Sequence, residues 1–243
     1  MGSQAATTYI KNIRVNIGES IADSLLTDAT SGSQWTNSEI LEYLNKAKNR
    51  AWELVKGVRE EYFLVTGDTS IALLASTKEY SLPADFRQIK NIKVTTSGYE
   101  YLEFRKVDIA AQEFIARDRE PSGAITTDEL IYDIIGTGKI KFADYPPASL
   151  ATSLDYVKFV SDFTLATDSA LTDINDEWRE FIEAYATMLA VGKNAVKGDT
   201  RLAYWTARLT DRPGMDGLET KLVKSVSKRD IRGSEYVEAF SPF

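Results

Sequence analysis

The hydrophobic period of this chain changes twice, from about 3.6 residues to 2 and back again, and neither period can serve the other's secondary structure. The first helical stretch opens at Trp35-Thr36-Asn37-Ser38-Glu39-Ile40. Thr36 fits the N-cap, Glu39 sits at N3 to complete a capping box, and Trp35 and Ile40 occupy the two positions of a hydrophobic staple. Beyond it Ile40, Leu44, Ala47, Ala51, Leu54 and Val58 recur on one face, widened by Leu41, Trp52 and Val55. Glu39, Glu42, Lys46, Asn49, Glu53 and Lys56 fall opposite, so the spacing predicts an amphipathic helix. Upstream, the four-residue spacing of Ile17, Ile21 and Leu25 predicts a shorter helix before the loop at Gly32.

The helical period returns near the other end. Asp173 is placed to cap a helix with Asp176 and Glu177 in its first turn, where acidic groups oppose the positive end of the dipole. Its apolar face reads Ile174, Trp178, Phe181, Ile182, Tyr185, Met188, Leu189 and Val196, and Lys197-Gly198 supplies a stop. Asp199 caps a further helix through Leu202, Trp205 and Leu209, Asp211-Arg212-Pro213-Gly214 breaks it, and Leu218, Leu222, Val223 and Val226 form a last one.

Between these ends the period is two. Residues 99–104 and Lys139-Ile140-Lys141-Phe142 alternate as half-buried strands do, and Gly136-Thr137-Gly138 joins Leu130–Ile135 to Ile140–Phe142 as a hairpin. Thr152–Val160 is rich in strand formers, and only Val107–Arg117 reads as helix. The expected fold class is therefore α+β. Residues 1–65 and 166–228 form a helical bundle, 66–165 a β-rich insertion, and 229–243 an extended C-terminal arm.

Neither cysteine nor histidine occurs among the 243 residues. That excludes disulfides, zinc fingers, thiol nucleophiles, Ser-His-Asp triads and histidine metal sites. Carboxylate, lysine or tyrosine chemistry is left, and no cofactor or metal is expected. A net charge of −7 argues against a protein whose main task is to grip phosphates. The longest apolar runs, such as Ile71–Ala75, are far short of the roughly 18–20 residues that cross a bilayer, and the amino terminus lacks the basic and apolar regions of a signal peptide. A cytosol-like compartment and no membrane partner are expected.

Asp128-Glu129, Glu60-Glu61 and Asp176-Glu177 are the carboxylate pairs that could run acid-base chemistry, yet among 36 acidic residues such neighbours arise by chance. Gly136-Thr137-Gly138 lacks the spacing of a phosphate loop. The C-terminal segment is the stronger candidate. Lys221, Lys224, Lys228, Arg229 and Arg232 gather basic charge in an acidic chain, either as a solvated helix face or to dock an acidic partner or line a passage for nucleic acid. Ser234–Phe243 then carries three aromatics and little helix tendency.

In their order, the opening helix Trp35–Ala47, the segment Lys78-Glu79-Tyr80-Ser81-Leu82-Pro83-Ala84-Asp85-Phe86-Arg87, Gly138–Phe142 leading to Pro146-Pro147, the strand near Asp155-Tyr156-Val157 and the helix Asp176–Ala186 make a pattern. It resembles the head-to-tail adaptor, or connector, proteins of tailed bacteriophages over most of the chain. The resemblance implies a homo-oligomeric, dodecameric ring in the virion neck, assembled in the host cytoplasm. Such a ring joins the portal protein to a downstream tail protein, and genomic DNA passes its lumen without specific binding. It also implies a C-terminal arm that reaches the portal, with Tyr236, Phe240 and Phe243 as anchors and Lys228, Arg229 and Arg232 as polar support. The Pro-Gly break between Asp211 and Gly217 departs from the longer helix of that pattern.

Three other readings compete. A tail tube or nozzle subunit keeps the virion but changes the position. A carboxylate-dependent virion-associated hydrolase requires two carboxylates about 5–9.5 Å apart in a cleft, one with a raised pKa. A nucleic-acid-binding module has only the short basic segment in its favour.

Overall fold

A computed structural model describes residues 5–19, 35–119, 128–136, 138–164, 176–196 and 198–227, with the backbone alone at 176 and 177. In chain order the elements are α1 (Ala6–Ile17), α2 (Asn37–Val58), a 3-10 turn (Glu60–Phe63), β1 (Leu64–Asp68), β2 (Ala72–Leu73), β3 (Glu79–Ser81) and β4 (Phe86–Val94). There follow β5 (Glu103–Lys106), α3 (Gln112–Asp118), β6 (Glu129–Ile135), β7 (Lys139–Phe142), β8 (Leu150–Lys158), α4 (Asp176–Lys193), α5 (Thr200–Leu209) and a helix over 218–227, here α6. The fold is mixed α+β. It divides into a helical unit, Met1–Tyr62 with Val160–Phe243, and a β unit, Phe63–Phe159.

In the helical unit α4 packs on α1, α2 and α5, and α1 packs on α2. The α2 start is as its sequence demands. The Glu39 N–H donates to Thr36 Oγ1 at 3.1 Å and the Thr36 N–H to Glu39 Oε2 at 2.9 Å, which satisfies two donors the helix leaves without partners. Trp35 is buried, and its indole N–H donates to the Ala190 carbonyl of α4 at 3.0 Å. The buried stripe of α2 runs through Ile40, Leu44, Ala47, Ala51, Trp52 and Val55, while Val58, the last helical residue, turns to solvent.

Three helical expectations need correcting. Gly18 adopts φ 80° and its N–H caps the Arg14 and Val15 carbonyls, so α1 ends at Ile17 instead of running through it; Ile21 and Leu25 lie outside the described residues. At the other end α4 stops at Lys193, which leaves Val196 beyond the helix and 77% exposed. Tyr185, Met188 and Leu189 are half-buried, and the tightest face of α4 instead uses Trp178, Phe181, Ile182, Ala186 and Ala190. Asp173 and Ile174 lie outside the described residues.

In the β unit β8 is the central strand of the first sheet. β4 pairs antiparallel along one edge, and β1 followed by β2 runs antiparallel along the other, from Leu64 opposite Val157 to Leu73 opposite Leu150. The second sheet has the order β3-β7-β6-β5. β6 and β7 form the antiparallel hairpin expected around residues 136–138, with Ile135 opposite Lys139. β5 is parallel to β6, which requires a crossover, and α3 lies in it. The strand expected over 99–104 begins only at Glu103: the Leu102 N–H closes a turn on the Tyr99 carbonyl at 3.1 Å.

One core joins the two sheets, with Leu73, Ile92 and Leu154 from the first and Leu130, Ile140 and Phe142 from the second. Phe142 is fully buried, and the rings of Tyr80, Phe104 and Tyr132 surround it with centroids 5.8–6.0 Å away. Edge-on and tilted pairs of this kind add about 0.5–1.5 kcal/mol each beyond the area they bury.

Candidate partner-binding surfaces

Lys228, Arg229, Arg232, Tyr236, Phe240 and Phe243 all lie outside the described residues. What is described is the base from which they depart. α6 buries Leu218, Leu222 and Val226 and turns Lys221 and Lys224 outward. Lys224 pairs with Asp216 at 2.7 Å, whereas Lys221 makes no ion pair among the described residues.

The break between α5 and α6 is a built corner. Arg212 and Met215 exchange backbone hydrogen bonds of 3.0 and 2.9 Å around Pro213-Gly214. Asp211 then reaches across to α6, where its carboxylate accepts from the Gly217 N–H at 2.8 Å and from Thr220 Oγ1 at 2.8 Å. These two donors hold its pKa below the usual carboxylate range. Gly217 lies so close to the α5 end that a Cβ there would overlap the carbonyls of Leu209 and Thr210. Glu219 accepts from the Arg50 guanidinium of α2 at 3.1 and 3.2 Å. α6 is thus tied to both α5 and α2 before the chain leaves the described region.

Beside this corner α4, α5 and α6 bound a cavity of about 280 Å³ lined by Glu180, Tyr204, Arg208, Arg212, Met215 and Lys221. A second, of about 300 Å³, shares Glu180 and Lys221 and continues along α4 and α6 past Phe181 and Leu222. Met215 is 69% exposed and Tyr204 57%. Arg208 is held by Glu180 at 2.7 Å and lies over the Trp205 ring, with its guanidinium carbon 5.3 Å from the centroid. The surface combines apolar area with cations.

Of the carboxylate pairs, Glu129 is tied into an ion-pair network. Glu129 receives the Arg105 guanidinium in two hydrogen bonds of 2.6 and 3.0 Å, and Arg105 also reaches Glu113 at 2.6 Å. Those contacts fasten α3 to β5 and β6, and the Arg105 hydrogen bond holds the Glu129 pKa down. Asp118 is raised by burial but lowered further by hydrogen bonds from Lys141, at 2.8 Å, and Lys78, at 3.3 Å, so its net displacement is downward. Glu39, held by Lys193 and the Thr36 N–H, and Asp199, the N-cap of α5, are displaced the same way. A general acid at neutral pH needs the opposite displacement. Asp128 is exposed, Glu60 and Glu61 sit in the 3-10 turn, and the side chains of Asp176 and Glu177 are outside the described set.

Sequence reasoning passed over the two buried cations. Lys48 lies in the apolar stripe of α2 at 1% exposure, and its ammonium donates to the carbonyls of Val160 at 2.7 Å and Ser161 at 3.1 Å and to Asp162. Burial pushes its pKa down, against the opposing pull of Asp162. One turn earlier Asn45 pairs with the Phe163 backbone through both halves of its amide, at 2.8 and 3.2 Å. Arg14 is buried against the Trp35 carbonyl at 3.1 Å, Asn37 at 2.7 Å and Glu19. The available signal was positional: Lys48 stands four residues from both Leu44 and Trp52, inside the apolar face.

Residues 15–225 match a family model described as SU10 adaptor protein. The match spans most of the helical unit and the whole of the β unit. No curated protein matches the chain.

Proposed function

The chain belongs to the SU10 adaptor protein family, and from that membership we propose that it is the head-to-tail adaptor of a bacteriophage. As a family of adaptors, its members are structural components of the phage particle that work by contact with other virion proteins, not by catalysis. The finer reading is a homo-oligomeric ring, dodecameric by the pattern the sequence resembles, that seats on the portal in the virion neck and meets a tail protein below. The helical unit, as a bundle drawn from both ends of the chain, forms the ring body. The β unit is an outward or tail-facing elaboration. Subunits in such a ring meet face to different face, so the ring closes without a self-complementary patch.

The observation that carries this reading is the single family match running through both units, from residue 15 to 225. The tied base of α6 and the apolar, cationic surface beside it support a portal-directed arm, in which Tyr236, Phe240 and Phe243 are the anchors and Lys228, Arg229 and Arg232 the polar support. A net charge of −7 suits a conduit, since each additional lysine or arginine contact to phosphate would slow DNA. The test is recruitment to purified portal protein, scored by electron microscopy of the complex. The full chain is expected to dock as a ring, and a chain lacking residues 234–243 to dock at least tenfold more weakly, about 1.4 kcal/mol. Equal docking by the truncated chain would refute the arm assignment, and a location within the tail would refute the neck assignment.

A further inference from the structure

β4 carries its cations in a way that an ordinary strand could not. In a regular strand residues three apart point to opposite faces. Here the pairing with β8 slips by one residue twice, between Phe86 and Gln88 and again between Ile89 and Asn91. Each slip is a bulge that inserts one unpaired residue. The inserted residues are Arg87 and Lys90. As a result Phe86, Ile89, Ile92 and Val94 all reach the core, while Arg87, Lys90 and Lys93 are all exposed.

The spacing follows from the register. Arg87 lies between the partners Lys158 and Val157, Lys90 between Tyr156 and Asp155, and Lys93 is opposite Ser153. Successive cations are therefore two to three β8 residues apart, about 7–8 Å at a rise of about 3.4 Å per residue. The advance of about 3.4 Å per phosphate is measured along the duplex axis, and because each strand winds around that axis its neighbouring phosphates lie farther apart, at a separation comparable to the spacing of this row. Asp155, opposite Asn91 on β8, is engaged by the Gly67 N–H at 2.8 Å and Asn91 Nδ2 at 3.4 Å. Neither Arg87 nor Lys93 forms an ion pair among the described residues. No large apolar side chain of β4 is exposed beside them, so the row lacks the aromatic or aliphatic anchor that a protein partner would use.

We propose that the Arg87–Lys90–Lys93 row is a contact surface for the phosphate backbone of DNA, weak and independent of base sequence. This deepens the reading of the chain as an adaptor through which DNA passes, takes the tail-facing placement of the β unit and not the outward one, and rests on that reading for the source of the nucleic acid. Cations on an edge strand also discourage pairing with other chains, but that role needs no phosphate and predicts no salt-dependent binding.

The test is fluorescence anisotropy of a labelled duplex with the full-length chain as salt is raised from about 50 to 200 mM, where three phosphate contacts give a slope of about −2.7 in log K against log salt, or a roughly fortyfold loss. Combined Arg87→Gln, Lys90→Gln and Lys93→Gln substitution is expected to abolish the slope. Lys93→Gln alone, at a regularly paired position, is expected to reduce it by about 0.9. A wild-type slope of zero overturns the proposal, as does a triple variant that binds like wild type. So does a loss that follows Lys228→Gln and Arg229→Gln instead, or tighter binding to a poly-glutamate peptide than to the duplex. Circular dichroism of each variant establishes its folding. Portal recruitment is scored separately, so a failed slope with intact recruitment removes the phosphate-contact role of the row and leaves the adaptor reading standing.

Discussion

Replacing Gly217 with alanine adds one methyl group at the place where α6 begins against the end of α5. Its Cβ would overlap the Leu209 carbonyl oxygen and the carbonyl group of Thr210, which are main-chain atoms and cannot swing aside as a side-chain tip could. Relief requires α6 to move by on the order of 1 Å to restore ordinary carbon contact distances. That movement stretches the Gly217 and Thr220 hydrogen bonds to Asp211, both 2.8 Å, and the Arg50–Glu219 pair. Overpacking costs about 1–3 kcal/mol and each weakened hydrogen bond about 1, partly offset by the 0.4–1 kcal/mol that alanine gains by restricting the unfolded chain. The net expectation is a loss of about 2–3 kcal/mol, or about 5–10 °C in melting temperature for a chain of this size. Gly57 is the control. It lies within α2 with nothing near its Cβ position, so Gly57→Ala is expected to stabilise by up to about 1 kcal/mol. Thermal melts followed by far-ultraviolet circular dichroism on the full chain compare the two. A Gly217→Ala protein as stable as wild type, or shifted in the same direction as Gly57→Ala, would refute the close-approach reasoning.

Lys48→Met fills the space but leaves the Val160 and Ser161 carbonyls without their donor, and relief from burying a charge offsets part of that. A loss of about 2–3 kcal/mol in urea unfolding at neutral pH is expected, and an unchanged midpoint would contradict it. Acid sensitivity follows from Glu39, Glu129, Asp118, Asp199 and Asp211, whose folded pKa values all lie below their ordinary ones. Their contribution is fully present above the ordinary values of 4.5 and 3.8 and is lost as pH falls through the lowered folded values. The urea midpoint should therefore drop below about pH 4.5, less steeply in Glu129→Gln, and a flat profile down to about pH 3 would be inconsistent with these pairings.

The elements legible in the sequence were those whose signal is local. The α2 capping box, the Asp199 cap of α5 and the β6–β7 hairpin each depend on residues within a few positions of one another, and each stands where the residues put it. β4 was not read as a strand by its period, and the bulges explain why. They place Phe86, Ile89 and Ile92 three apart, which mimics helical spacing, although the partner strand restores the alternation. The role of Lys48, unlike its place on the apolar face, was hidden for the opposite reason. A lysine on an apolar helix face has no local justification, and the carbonyls that justify it lie 112 and 113 residues further along the chain. The cation surface beside α6 was legible only in part, since Lys221 and Lys224 were read as one basic group while Asp216 neutralises the second.

The burial of Lys48 also follows from how the helical unit is interrupted. Closing that unit across a flexible loop of about 100 residues would cost about 4 kcal/mol in chain entropy. The β unit removes most of this cost, because its first and last strands are paired: Leu64 at its start lies directly opposite Val157 near its end. Once folded, it returns the chain beside the point of departure, and the effective loop shrinks to a few residues, a difference of about 2–3 kcal/mol. What remains is to seat the returning segment 160–163, which belongs to no strand, buries Val160 and Phe163 while Ser161 and Asp162 stay exposed, and carries the Val160 carbonyl into a buried place. Such carbonyls need donors. A helix surface has no free N–H to give in mid-span, so the donor must come from a side chain long enough to reach over the apolar stripe. Lysine brings three donors on one flexible stem, and Lys48 uses them on Val160, Ser161 and Asp162 while Asn45 matches the Phe163 backbone beside it. A purely apolar α2 face would pack as densely and still leave that segment's carbonyls without donors.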